Sequence, residues 1–204
     1  MALITDYATL STAVQDYLAR SDLASYVPNF LQNAQQKIYR ALRIRPMEAA
    51  LSITISGGSA ALPADYLDLK YAYIVATPVK FLERAPPEEL YRLYPNRSVS
   101  GKPTLIAREA ETFIFGPYPD SNYSIGGIYY KQLTLLSGSN TTNWFTTNAA
   151  ELLLYGALLE AQPFLMNDKR IPVWQQFFNE AMDTVAMQEK REKSSGSVQR
   201  SRAC

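Results

Sequence analysis

A leucine-rich run sets the terms for the whole chain. From Ala149 to Ala161 almost every residue is apolar, with Leu152, Leu153, Leu154, Tyr155, Leu158 and Leu159 in close succession. A helix apolar on nearly every side is a buried helix, and this one is too short to cross a bilayer. Asn148 has the chemistry of an N-cap, and Glu151, three residues on, would complete a capping box. Gly156 and Ala157 sit mid-run. Glycine inside a helix costs about 1 kcal/mol against alanine, a cost that the close approach of a neighbouring helix would justify. Other helices must therefore wrap this one, and both ends of the chain supply candidates.

Near the N-terminus, Tyr7, Leu10, Val14, Tyr17 and Leu18 recur at spacings of three and four, one apolar helix stripe. Arg20-Ser21-Asp22 breaks the pattern and reads as a turn, with Ser or Asp capping the next helix. That second helix runs from about Val27 to Leu42, with Pro28 in its first turn and Val27, Phe30, Leu31, Ala34, Ile38 and Leu42 as its stripe. Arg40, Arg43 and Arg45 cluster at its C-terminal end, where cations suit the helix dipole. Past the leucine-rich helix, Asn167 or Asp168 caps a fourth one carrying Trp174, Phe177, Phe178, Ala181, Met182 and Val185. The predicted helical core therefore comprises Leu10, Val14, Phe30, Ile38, Leu152, Gly156, Leu159, Trp174 and Phe178.

From Met47 the period drops to two: Leu51, Ile53 and Ile55 alternate with Ser52, Thr54 and Ser56, a strand with one wet face. Gly57-Gly58 turns it back through Ala60–Leu62. Further strands are expected at Leu67–Ala76, Val79–Leu82, Thr104–Ala107, Thr112–Phe115 and Tyr123–Lys131, with a short helix opened by Pro86-Pro87 and Glu88-Glu89. Residues 132–147 form a polar connector ending in Trp144-Phe145. Beyond Ala186 the apolar stripe fades into a polar, mainly basic tail that cannot bury a core. The expected fold class is α+β. Residues 1–45 and 148–190 form an α-helical bundle, residues 47–138 an inserted antiparallel β-domain, and residues 191–204 a flexible, extended tail.

Composition excludes several functions. The chain of 204 residues has no histidine and one cysteine, Cys204, so it has no Ser–His or Cys–His dyad, no Cys/His zinc site and no intrachain disulfide. No cofactor is expected. The net charge of +1 gives no global pull toward nucleic acid or anionic membrane. Met1–Ile4 is followed at once by polar residues, and no run is long enough to span a membrane, so a soluble, cytosolic product is expected. Fourteen tyrosines are generous, and tyrosine is favoured where protein surfaces meet.

Several ordered segments together carry a resemblance. They are ITDYATLSTAVQDYLARSDL, NFLQNAQQKIYRALRIRPME, ALPADYLDL, SGKPTLIAREAETFIFGPYPD, YYKQLTLLS and NWFTTNAAELLLYGALLEAQPFLMND. In this order the chain resembles tailed-phage head-to-tail adaptors of the gatekeeper, tail-tubular-protein-A type, over about residues 3–185. Two departures stand out: an acidic residue is expected where Gln35 or Gln36 stands, and a proline near Asn148. The resemblance implies a homo-oligomeric ring, usually dodecameric, below the portal at the capsid vertex. That ring extends the channel for double-stranded DNA, without sequence-specific binding, and carries the tail tube or nozzle. It also implies a C-terminal tail docked on the portal protein, here through Lys193, Val198, Gln199, Arg200 and Arg202. The product would be a virion component assembled in host cytoplasm, with no membrane partner.

Two other functions compete. A carboxylate-based hydrolase would draw on Asp65, Asp68, Glu88, Glu89, Glu109, Glu111 or Asp120 and would need two of them facing across a cleft. A tail-completion or DNA-binding accessory protein would use Arg40, Arg43 and Arg45 against phosphates.

Overall fold

In the computed structural model, residues 3–96, 100–165 and 168–195 are described. The chain is mixed helix and sheet, of the α+β class, and divides into two compact units. One is Met1–Pro46 with Leu133–Cys204, and the other is Met47–Gln132.

The first unit contains the helices α1 (Tyr7–Leu18), α2 (Val27–Ala41), α4 (Trp144–Asn148), α5 (Ala150–Glu160) and α6 (Ile171–Ser195); α3 lies in the second unit. Helices α1, α2, α4 and α6 all pack on α5. A Cβ on Gly156 would stand 3.2 Å from both the Ala34 Cβ on α2 and the Phe178 ring on α6. The missing side chain lets two helices close on α5 from different sides. Leu10, Val14, Phe30, Ile38, Leu152, Gly156 and Trp174 are buried, and Leu159 and Phe178 are half-buried.

The starts of α1 and α4 use the same device. Asp6 accepts the Thr9 N–H and Thr9 Oγ1 accepts the Asp6 N–H; Asn143 and Thr146 repeat the exchange. The cap expected at Asn148 is not there. Asn148 is the last residue of α4, its side-chain amide donates back to the Trp144 carbonyl, and α5 begins without a side-chain cap. The threonine hydroxyl of Thr146 makes such a bond at the start of α4 instead, so the capping box precedes the short helix and not the leucine-rich one. Likewise Ser21 and Asp22 lie in a short 3-10 helix, Ser21–Tyr26, and α2 has no side-chain cap. Asp168 accepts the Arg170 N–H just ahead of α6; Asn167 lies outside the described residues.

Two boundaries shift. Residues 133–138, expected in the β-domain, go with the helices: Leu136 is buried and its N–H bonds to Gln35. Helix α6 runs to Ser195, so residues 191–195, expected in the tail, are helical; Glu189, past the expected end of the stripe, is still buried on it.

The second unit holds a seven-stranded sheet: β1 (Glu48–Thr54), β2 (Ser59–Ala61), β3 (Tyr66–Ile74), β4 (Lys80–Arg84), β6 (Leu105–Glu109), β7 (Thr112–Gly116) and β9 (Ser124–Lys131), in the order β1-β9-β3-β4-β6-β7-β2. Two-residue strands β5 (Ser100–Gly101) and β8 (Tyr118–Pro119) pair separately. The sheet is not purely antiparallel. Strands β4 and β6 run parallel, joined through α3 (Pro87–Leu93), because parallel neighbours need a crossover. Nor does β2 return along β1. One bridge, Ser56 to Ser59 around Gly57-Gly58 at φ 58° and 82°, is the whole hairpin; then β1 follows β9 and β2 follows β7. The two outermost strands are thus tied at one end, and the sheet curls round one core that includes Leu51, Ile55, Leu69, Ile74, Phe113 and Phe115. Outside, Leu90 of α3 covers Ala107 and Ile114.

Candidate interaction surfaces

The helical unit contains a buried polar chain that sequence reasoning missed. Gln35 is fully buried; its amide donates to the Leu31 carbonyl, and its Oε1 accepts from the Leu136 N–H at 2.6 Å and the Tyr39 hydroxyl at 3.3 Å. Tyr39 in turn accepts from Asn143 Nδ2 at 2.7 Å. Helix α2, the connector and the cap of α4 are thereby joined through neutral groups. Burial pushes the Tyr39 phenol up to about 12 from 10.0, with the Asn143 amide acting the other way. A carboxylate at Gln35, one of the two positions where the resemblance called for an acid, could accept both bonds but could not donate to Leu31.

The basic cluster at the end of α2 is occupied locally. Arg40 Nε donates to Gln36, and Arg43 Nη1 reaches the carbonyls of Tyr39, Arg40 and Leu42. These carbonyls have no onward helical partners, so Arg43 closes the helix end. The Arg45 N–H is held at 2.9 Å by the carboxylate of Glu189 on α6, beside a cavity of about 100 Å³ edged by Trp144 and Val185. Of the portal-contact candidates, Lys193 lies on α6 with its side chain outside the described residues; Val198, Gln199, Arg200 and Arg202 lie outside them altogether.

The acidic residues of the second unit are spoken for singly. Asp65 accepts from Tyr129, Asp68 pairs with Arg84, Glu109 accepts from Tyr91 and Asp120 from Tyr123. Glu88 and Glu89 stand in the first turn of α3, where the dipole favours them, and Glu111 is exposed beside the β6–β7 turn. Burial first, then Asp65, raises the Tyr129 phenol; burial first, then Asp68, raises that of Tyr66, against Arg84 and Arg108. Among the described residues, no group of three or more acidic, histidine or cysteine side chains could hold a metal.

One apolar feature on the surface of this unit is aromatic. Tyr71, Tyr73 and Val75 point outward from β3 and its end while Ala72 and Ile74 point into the core. Phe81, 64% exposed, stands directly across from Tyr73, and the three rings lie 5.9 to 6.4 Å apart. On the other side Tyr73 faces Gly126, where a Cβ would come within 2.8 Å of the ring, so the ring lies over bare backbone. Exposed Val75 and Val79 extend the patch. A strand with apolar residues on both faces is the sequence signal that could have found it, since such a strand must be covered twice or left open.

A family model described as SU10 adaptor protein matches residues 5–202 of the chain. No curated protein matches it. No helix among the described residues is long and apolar enough to cross a membrane.

Proposed function

The chain belongs to the SU10 adaptor protein family, and on that footing we propose that it is a structural head-to-tail adaptor of a tailed phage. Copies close a ring, dodecameric by the resemblance, between the portal and the tail tube or nozzle. The ring lengthens the DNA channel used in ejection and acts as a gatekeeper and platform for tail assembly. The ends of the polypeptide form one helical bundle, from which α6 carries the tail to the portal, while the β-domain contributes to contacts around the ring and toward the tail.

The observation that carries this reading is the reach of the family match, which runs to residue 202 and so includes Lys193, Val198, Gln199, Arg200 and Arg202. A segment that belongs to the family pattern is more than an inert terminus. The cluster of exposed Tyr71 and Phe81 with half-buried Tyr73 supports a chain made for assembly, because aromatic residues anchor protein interfaces. The local use of Arg40 and Arg43 in closing α2 speaks against a phosphate-gripping accessory protein. Carboxylates held one at a time by tyrosines or Arg84 speak against a paired-acid hydrolase.

The test is a truncation ending at Ser195. The shortened protein should keep its helical signal and unfolding midpoint, yet lose binding to its phage's portal in co-sedimentation. Portal affinity equal to that of the full chain would remove the docking role from residues 196–204.

A further inference from the structure

Lined by residues of β3, β4, β6, β7 and α3 is a cleft of about 180 Å³, with Tyr66, Leu69 and Phe113 on one side and Pro87, Arg84 and Arg108 around it. We propose that this cleft is an anchor site for one acidic side chain of a partner protein, a glutamate whose carboxylate is taken by Arg108 and whose methylenes lie on the aromatic side. It concerns the β-rich unit alone and does not rest on portal docking by the tail.

Size decides the class of ligand. Small-molecule sites are usually about 300–1,000 Å³. A single side chain fits where a cofactor would not.

Charge decides the chemistry. Arg84 is already committed: Nη2 bonds to Asp68 at 2.7 Å and Nη1 to the Leu69 carbonyl. Arg108 is not. Its Nε donates to the Ala110 carbonyl at 3.1 Å, and its guanidinium lies 5.2 Å from the centre of the Tyr66 ring. Among the described residues no carboxylate pairs with Arg108. Neighbouring Glu109 is turned to the Tyr91 hydroxyl instead. The cleft therefore carries one uncompensated positive charge, held in place by its own Nε bond and by the ring beneath it. Such a guanidinium has its remaining N–H groups free for a fork-like grip on a carboxylate. A nucleic-acid backbone fits less well, because its affinity comes from many phosphates at once and an apolar side offers it nothing. The Tyr66 ring is itself fixed edge-on to Phe113 at 5.4 Å and stacked on Tyr129 at 6.0 Å, so that side is preformed.

The experiment is an NMR titration of the full-length protein at fixed ionic strength. The probes are N-acetyl-glutamate α-amide, its neutral glutamine counterpart and a short DNA duplex. The glutamate probe should move the Arg108 Nε–Hε signal and the amides of Ala85 and Ala107 saturably, with millimolar affinity, and the glutamine probe should bind at least tenfold more weakly. Arg108→Gln should abolish the response with the rest of the spectrum in place. Arg108→Lys should keep part of it. Equal response to both amino-acid probes, an unchanged response in Arg108→Gln, or tighter occupation of the same atoms by the duplex would each overturn the proposal.

Discussion

Gln35 shows how much one side chain can organise when it is placed where water cannot reach. It ties α2 to the connector by donating once and accepting twice, Tyr39 passes the link on to Asn143, and no charge is involved. Replacing it with leucine keeps the volume but leaves the Leu136 N–H and the Tyr39 hydroxyl without their acceptor. The expected loss is about 1–3 kcal/mol in urea unfolding, the usual penalty for a buried group left unpaired. A loss under about 0.5 kcal/mol would mean that the network is ornamental. Tyr39 adds a pH test. Its phenol titrates near 12 in the folded chain against 10.0 for an ordinary tyrosine, so the folded state holds the proton more tightly. That contribution is complete below pH 10 and is lost as pH rises through 12, at about 1.4 kcal/mol per pH unit. Tyr39→Phe should flatten the alkaline fall in stability over that window. An identical fall in both proteins would assign it to other tyrosines.

Among the elements, periodicity decided what sequence could see. The stripe Leu10, Val14, Leu18 on α1 and the alternation through Leu51 and Ile53 on β1 were legible, because burial on one face writes its period directly into the residues. Pairings at long range were not. Nothing local distinguishes β2 returning along β1 from β2 departing to β7, and the parallel β4–β6 pair depends on α3 lying across the outer face. The cap was misplaced for a local reason: Asn148 and Glu151 have the familiar spacing, but Asn143 and Thr146 have it too and make the exchange at their own N–H groups, at the start of α4. The candidate surfaces were less legible still. Tyr71 and Phe81 fall in expected strands, but only the folded sheet leaves their face uncovered, and Arg84 and Arg108 meet only through the parallel pair. Three variants test the helix starts and the packing on α5. Asn143→Ala should cost about 0.5–2 kcal/mol, as loss of an N-cap does, while Asn148→Ala stays within about 0.5 kcal/mol of the parent. The reverse order would restore the cap to Asn148. On α5, Gly156→Val would push into Ala34 and Phe178 and should cost about 1–3 kcal/mol by overpacking. Unchanged stability would show that α2 and α6 can retreat from α5.

In the whole molecule, the two ends of the chain share one helical unit and the middle forms a curled sheet with aromatic rings on its outer face. That division suits a part that must be held at one place and present surfaces at another. Buried neutral bonds fix the helical unit, and the sheet's outer face keeps apolar rings exposed, the arrangement expected of a piece completed by its neighbours. The family to which the chain belongs gives that arrangement its purpose, and the proposed ring rests on it. Electron microscopy of the full-length protein mixed with its phage's portal tests this most directly. Closed rings of this chain, seated coaxially on the portal, are the predicted result. Portals that remain bare, or copies bound to them without closing a circle, would contradict it.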